Sequence, residues 1–478
     1  MGMLVFQPQN AHRVNVDGRD LLFHVPTTSL FEIDALDGQV LDLLAERGSV
    51  SQGDVRDRFA DRADPGTVAE RLRSFLDLDI VTDGRPPSAE RPPVTIENFP
   101  LTTIVLNVNT GCNLSCTYCY KEDLDTPSAG RRMAFETAKK SIELLLKESP
   151  DRDRYNVVFF GGEPLSNLGL IREVVAFAEE RFGDLGKKVD FTLTTNATLL
   201  TPEIVDWLDA HRFGLTISMD GPKALHDKNR KTVGGKGTYD VVAAKARMLL
   251  ERYSSRPVGA RVTLTHGVTD VIAIWDHLKN GLGFAEVGFS PVTSGPMSAF
   301  NLTGDELSDV FERMKALGRI YRDAALEGRN IGFSNMHQLM TDLYEGRSKA
   351  LPCGAGLGML AVDHAGELNL CHRFTGSDME TYGSVDEGIA KARLSRFLED
   401  RAERGDKGCE TCRIRNLCAG GCYHESYAHF SDPTKPTYHY CDLMRDWIDF
   451  GIEVYGDLIA GNPAFFTDTI MPRRAFGK

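Results

Sequence analysis

Three things are scarce in this chain: long apolar runs, an excess of basic charge and an addressing segment at its start. Met1 to Asn15 has no basic stretch followed by an apolar one, and no uninterrupted apolar run is long enough to cross a bilayer. A soluble, cytoplasmic protein with no membrane partner is expected. The 55 Lys and Arg are outnumbered by 68 Asp and Glu, leaving a net charge of −13. Binding to a phosphate backbone draws on cationic excess, so nucleic acid is not an expected partner. Ten cysteines, by contrast, gather at short spacings. A reducing compartment keeps thiols free, so such groups read as metal ligands rather than disulfides. At 478 residues the chain exceeds one ordinary domain, and two or three are expected.

Residues 1–82 open with strand-like alternation in His12 to Val16, an Asp17-Gly18 turn, then Leu21 to Val25 and Ser29 to Ile33. Three helical stretches follow, with apolar faces at Val40, Leu41, Leu43 and Leu44, at Val55 and Phe59, and at Val68, Leu72, Phe75 and Leu76. Asp64-Pro65 suits a capped start for the last of them. Residues 83–97 hold a stiff proline-rich linker, from Asp83-Gly84-Arg85-Pro86-Pro87 to Arg91-Pro92-Pro93. From 98 to 345, β-rich runs alternate with amphipathic helices, the strands falling at Thr103 to Asn109, Asn156 to Phe160, Val189 to Thr194, Gly214 to Ser218, Ala260 to Thr265 and Glu286 to Ser290. The fold class is α/β: strands alternating with helices imply a parallel sheet with function at the strands' C-terminal ends.

Chemistry begins just after the first of these strands. Cys112, Cys116 and Cys119, in CX3CX2C spacing, offer three thiolates to a 4Fe–4S cluster that needs four ligands, leaving one iron free to chelate a small molecule. A zinc knuckle or a buried cysteine group is the alternative on this spacing alone. With Tyr118 before the last cysteine, the segment resembles the radical S-adenosylmethionine (SAM) signature. The resemblance implies a partial (β/α)6 barrel, SAM held on the open iron, and one-electron cleavage of SAM to a 5′-deoxyadenosyl radical.

Further segments resemble the same family. Gly161-Gly162-Glu163-Pro164 follows the second strand, its glycines allowing close backbone approach while a carboxylate faces a cation. It is similar to the family's GGEP motif, which implies that Glu163 holds the SAM amino group. Thr194-Thr195-Asn196-Ala197-Thr198 is similar to the TNGT segment, with Ala197 in place of the usual glycine and Asn196 retained. Ser218, before Met219-Asp220-Gly221-Pro222, and Arg230 match residues that hold SAM polar groups in sulfatase-maturing relatives, an Arg fork suiting a carboxylate.

The other seven cysteines fall in an order that resembles the SPASM domain of peptide-modifying radical SAM enzymes, here assigned to 346–478 with its C-terminal helix. Cys353 precedes a GX4C from Gly366 to Cys371, then come Cys409-x2-Cys412-x5-Cys418-x3-Cys422 and finally Cys441. The resemblance implies two auxiliary 4Fe–4S clusters, one on Cys409, Cys412, Cys418 and Cys441 and one on Cys353, Cys371 and Cys422. That makes three clusters with SAM as cofactors. The three-cysteine cluster is then open to substrate, water or a non-cysteine ligand, and His364 and His372 lie near it in sequence. Residues 1–82 resemble the winged-helix peptide-recognition domain of enzymes that modify ribosomally made peptides, in which an edge strand captures a leader by strand addition. A purely structural extension is the alternative.

Sulfatase maturases place an Asp directly after the cysteine matching Cys371 and use it as a base; here that residue is His372, which weakens a formylglycine-forming assignment. Phe6-Gln7-Pro8, the run from His24 to Phe31, and Cys112 through Cys119-Tyr120-Lys121-Glu122-Asp123-Leu124 look like the maturases that install Cys-to-Asp or Cys-to-Glu thioethers in the small γ subunit of quinohemoprotein amine dehydrogenase. Expected partners are therefore a leader-bearing cysteine peptide and a reductant such as flavodoxin or ferredoxin. Two other readings stay open: a carbon–carbon crosslinking, epimerising or sulfatase-maturing enzyme with the same clusters, and a non-catalytic iron–sulfur electron carrier.

Overall fold

The computed structural model describes residues 3–16, 18–83, 96–120, 130–292, 299–403 and 408–471. The turn residue Asp17, most of the linker and Lys121 to Leu124 lie outside the described residues.

At the centre is a parallel sheet whose six strands stand in chain order: β1 (Thr103–Asn107), β2 (Arg154–Phe160), β3 (Lys188–Thr195), β4 (Gly214–Ser218), β5 (Gly259–Leu264) and β6 (Glu286–Pro291). Each lies beside its sequence neighbour, which is the order of a barrel wound in one direction. Every strand from β1 to β5 pairs in parallel with the next, so all six C-terminal ends face the same way. Along β2 to β5 fully buried residues, mostly Val, Leu, Ile and Phe, alternate with less buried ones such as Thr192, Thr194, Thr216 and Thr263, so one face of the sheet is packed and the other is more open. Helices such as Phe135–Glu148 and Leu168–Asp184 lie between successive strands, the alternation the sequence leads one to expect. A short helix, Lys223–Asn229, follows β4 and ends just before Arg230.

The sheet is wider than six strands. Residues assigned from sequence to the auxiliary region supply β7 (Met359–Val362), parallel to β1, and β8 (Leu368–Asn369), antiparallel to β7. The cysteine-bearing segment 353–371 is therefore hydrogen-bonded to the strand that launches the Cys112 loop.

Residues 3–82 build two small antiparallel sheets and three helices. One sheet has the order Ser49–Ser51, Met3–Phe6, Val81–Thr82, and with helices Ala35–Arg47, Gln52–Phe59 and Pro65–Asp77 it encloses its own core around Leu4, Val40, Leu44, Val55 and Val68. Asp34 caps the first helix in a reciprocal box with Asp37, and Asp64 accepts from the amides of Gly66 and Thr67 ahead of Pro65. The other sheet is a meander of Ala11–Val16, Arg19–His24 and Ser29–Ile33. Its alternation divides it between two cores. Leu22 and Ile33 face the small core, whereas Val14, Val16, Leu21 and Phe23 join the main one. Arg19 reaches Asp457 at 3.1 Å and His12 reaches Asp449 at 3.0 Å, tying the meander to the long helix Cys441–Gly461. Among the described residues no helix is long and apolar enough to cross a membrane.

Candidate active site

The C-terminal ends of the strands surround a cavity of about 560 Å³. Cys112, Cys116, Tyr118, Cys119, Gly161, Gly162, Glu163, Asn196, Ser218 and Arg230 all line it. Sequence-distant segments thus meet in one place, as their positions after successive strands require.

The cysteine loop is strapped to the segment after helix Lys223–Asn229. The Ser115 amide donates to the Lys231 carbonyl at 2.8 Å and the Thr117 amide to the Asn229 carbonyl at 3.0 Å. The Leu114 amide points at Cys112 Sγ from 3.4 Å, and Asn196 Nδ2 does so from 3.8 Å. Burial pushes the Cys112 thiol up to about 12 and the Cys116 thiol up to about 11, each further affected by neighbouring charges. Without a cation these sulfurs stay protonated, and a metal centre that carries charge into the pocket is what would make them thiolates.

Gly161 and Gly162, which line the cavity, also have a local cause in the packing of their own turn. Gly161 sits at φ +153°, and a Cβ there would stand 2.4 Å from the Asn109 carbonyl oxygen; one on Gly162 would stand 2.0 Å from that of Gly111. Only glycine lets this turn pass against the base of the cysteine loop. The turn then delivers Glu163, whose buried carboxylate accepts from Thr195 Oγ1 at 2.6 Å, from the Asn196 amide at 2.8 Å and from the Leu165 amide at 3.1 Å. Burial raises its pKa, and the three donors oppose that rise. A carboxylate offers about four acceptor positions, so one more donor has a place. Ala197 occupies the left-handed region at φ +65°, which explains why glycine is usual there and implies strain at this position.

Ser218 and Arg230 come to the same wall, but Arg230 already has a partner. Its Nε donates to Asp220 Oδ2 at 2.9 Å, and the same oxygen accepts from Tyr118 OH at 2.7 Å. Asp220 Oδ1 accepts from the Thr263 amide at 3.0 Å. Burial alone would lower the Arg230 pKa, yet the Asp220 carboxylate beside it carries it above its ordinary value. The guanidinium also stacks over the Tyr118 ring, 5.5 Å from its centroid. Tyr118 therefore positions the Asp220–Arg230 pair.

All ten cysteines are free of disulfides, and their mutual electrostatic influence divides them three, three and four. Cys112 feels Cys116 and Cys119, Cys371 feels Cys422 and Cys353, and Cys441 feels Cys418, Cys409 and Cys412. Among the described residues no three His, Cys, Asp or Glu side chains crowd closely enough to grip a single metal ion. Cys418 ends helix Arg415–Cys418 and Cys422 precedes helix Tyr423–Phe430, with Ala419, Gly420 and Gly421 left-handed between them. Arg401, buried, holds that loop by donating to the Gly420 carbonyl at 2.6 Å and the Gly421 carbonyl at 2.9 Å.

Of the two histidines named from sequence, His372 reaches the cavity and packs at a tilt against Phe160 with ring centroids 4.1 Å apart, while His364 lies 3.4 Å from Arg131. Sequence reasoning missed Tyr120, Arg261, Arg373 and His424. The Tyr120 ring lies 5.4 Å from Arg373 and 5.4 Å from His424, and both Cys119 and the pair Cys371 and Cys422 act on its hydroxyl. Tyr120 thus stands between the first and second cysteine sets.

The Radical SAM superfamily profile matches residues 106–277. The cysteine-type anaerobic sulfatase-maturating enzyme of Clostridium perfringens strain 13 is 30% identical over 366 residues, covering 73% of this chain and 96% of that relative. The chain belongs to the radical SAM maturase family of the SPASM type. Its fold is similar to the structure described as native anSMEcpe with bound AdoMet, with a TM-score of 0.63 at 19% identity over 76% of this chain and all of that one. It is also similar to Streptococcus suis SuiB bound to S-adenosylmethionine, with a TM-score of 0.50 at 15% identity over 92% of this chain and 99% of that one. Radical SAM enzymes bind SAM and a 4Fe–4S cluster. The residues here fit that group: three sulfurs on one strapped loop, amides directed at them, and a cavity bounded by a fixed carboxylate and a fixed guanidinium.

Proposed function

We propose that this chain is a peptide maturase that closes thioether bonds between cysteine sulfur and the methylene carbons of Asp or Glu, its substrate being the small γ subunit of quinohemoprotein amine dehydrogenase. In this reading it carries three 4Fe–4S clusters, on Cys112, Cys116 and Cys119, on Cys353, Cys371 and Cys422, and on Cys409, Cys412, Cys418 and Cys441, and is reduced by a flavodoxin- or ferredoxin-type donor. When bound, SAM and the first cluster supply a radical able to take hydrogen from an unactivated methylene carbon.

One observation carries the reading. The cavity walled by the Cys112 loop is also walled by His372 and Arg373, which directly follow Cys371 of the three-cysteine set. A sulfur held at that set and a carbon facing the cysteine loop would share one chamber, which is the proximity that C–S closure requires. The balance closes without an outside oxidant. SAM, a C–H bond and a thiol go to methionine, 5′-deoxyadenosine, a thioether and one proton. His372, packed against Phe160, stands where sulfatase maturases carry a carboxylate base, which favours a reaction other than formylglycine formation.

The test is mass and thiol count on the co-expressed γ-subunit precursor. Each link should lower the mass by two hydrogens and consume one alkylatable thiol, and deuterium from labelled Asp or Glu methylenes should appear in 5′-deoxyadenosine. A crosslinked product that keeps every thiol alkylatable would move the protein to the carbon–carbon class.

For the leader, strand Ser29–Ile33 supports recognition by strand addition, since it is paired on one side only and carries an exposed Phe31. Phe31→Ser is expected to weaken binding of a fluorescein-labelled leader peptide roughly fivefold or more, from lost apolar burial at the edge. Unchanged anisotropy titration would assign the leader to another surface.

A further inference from the structure

Arg261 projects from the middle of β5 into the cavity, on the strand face it shares with Gly259 and Thr263, and its side chain is open to the cavity rather than packed in the core. In the register of the sheet it is paired with Ser218 on β4 and with Gly288 on β6. Gly288 makes room for it: a Cβ there would stand 3.3 Å from a guanidinium nitrogen. The side chain lies across β6 and donates to Ser290 Oγ, toward the C-terminal ends of the strands and away from Ser218. Among the described residues Arg261 has no carboxylate partner. The charge that acts on it is another cation, Arg373; the surrounding cavity walls together with that repulsion lower its pKa. A guanidinium placed in a cavity with a hydroxyl for company and a like charge nearby is arranged for an anion that arrives from outside. Its planar fork matches a carboxylate, and it is weakly hydrated enough to make that pairing worthwhile.

We propose that Arg261, reinforced by Arg373, receives the side-chain carboxylate of an acidic residue in the peptide substrate and so selects which methylene carbon is presented for hydrogen abstraction. The inference rests on the reading that this cavity handles a peptide. Two carboxylates could reach it, that of SAM and that of the peptide. The peptide is favoured by direction: the fixed carboxylate Glu163 and Asn196 sit on the β2 and β3 side with the cysteine loop, while Arg261 leans the other way, to Ser290 on β6. Arg373 follows Cys371 by two residues, so a carboxylate between the two arginines would stand next to the sulfur-binding set. That is the neighbourhood a link between cysteine and an acidic residue needs.

The test uses the reconstituted full-length enzyme and a leader-bearing peptide whose core holds cysteine and acidic residues, made once with Asp and Glu and once with Asn and Gln. The readout is peptide-dependent 5′-deoxyadenosine formation, which registers hydrogen abstraction whatever bond follows. Wild type is expected to favour the acidic peptide by about tenfold or more in kcat/KM, because the amide loses a charge-assisted bond and leaves the arginine unpaired. Arg261→Gln should shrink that ratio to within about threefold, and Arg261→Lys should keep part of it. No preference in wild type, or a preference undiminished in Arg261→Gln, would overturn the assignment. A second arm measures binding of labelled SAM by equilibrium dialysis. If Arg261→Gln weakens SAM binding about tenfold or more while the peptide preference persists, the carboxylate on Arg261 belongs to SAM and the proposal fails. If Arg261→Gln does not fold, the acid-to-amide ratio of wild type against Arg261→Lys still decides. A carbon–carbon product with the ratio behaving as expected would sink the thioether reading and leave this one standing.

Discussion

Replacing Cys112, Cys116 and Cys119 together by alanine is expected to abolish SAM cleavage and to lower iron from about twelve to about eight atoms per chain after anaerobic reconstitution, by the arithmetic of four irons per cluster. The fold should survive. The thiols of Cys112 and Cys116 are held well above their ordinary pKa by burial, so in the empty protein they are neutral groups in a largely apolar setting, and alanine removes no buried charge. The loop itself is held by backbone bonds from Ser115 and Thr117 to Lys231 and Asn229, which the substitutions leave in place. The other seven cysteines lie outside the Cys112 loop, Cys353 just ahead of β7 and six beyond it, with Arg401 holding the Cys418 to Cys422 loop and Cys441 opening its own helix. Iron counted against protein, with 5′-deoxyadenosine measured after dithionite, gives the answer. SAM cleavage that survives the triple change would place the radical chemistry elsewhere, and loss of all the iron would mean that the three sets do not assemble independently.

The barrel was legible because its signals are local. Runs such as Val157 to Phe160 and Ile217 to Ser218, each followed by a turn and an amphipathic helix, fix strand order through short connections. Motifs placed at strand ends then converge without further information. The CX3CX2C spacing of Cys112, Cys116 and Cys119 on one loop was legible in the same local way, whereas the division of the other seven cysteines came only from the resemblance. What escaped was long-range. Nothing local in Met359–Val362 says that it will pair with Thr103–Asn107, and the division of the meander between two cores depends on where helix Cys441–Gly461 lies. The glycines of Gly161-Gly162 were visible, but their physical reason, contact with the backbone of Asn109 and Gly111, required the fold. Arg261 carried a usable signal that was not read. In Arg261-Val262-Thr263-Leu264 the alternation puts a cation on the same strand face as Thr263, opposite the apolar Val262 and Leu264, and Arg261 and Thr263 both line the cavity at the strand ends.

The partner of the other cavity arginine sets the second large effect. Asp220→Ala is expected to destabilise the protein by about 3–5 kcal/mol, because it leaves Arg230 charged and buried with its counter-ion gone. The side chains of Asp220 and Arg230 are 0% and 8% exposed, so water cannot replace the carboxylate without reshaping the site. The same change strands Tyr118 OH and the Thr263 amide, each of which donates to Asp220. Because Tyr118 lies between Cys116 and Cys119, the disturbance passes directly into the cysteine loop, and SAM binding should fall with stability. Substituting the pair together, Asp220→Ala with Arg230→Met, should recover part of the lost stability, since an apolar chain of similar length removes the unpaired charge. It should not recover SAM binding, on the expectation from the resemblance that the Arg230 guanidinium holds SAM at the cavity wall. Guanidinium chloride unfolding of the four proteins in this cycle, alongside equilibrium dialysis of labelled SAM, separates the two roles. An Asp220→Ala midpoint close to the parent's would show that Arg230 finds another anion. Restored SAM binding in the double variant would show that the pair shapes the loop and that Arg230 does not touch SAM.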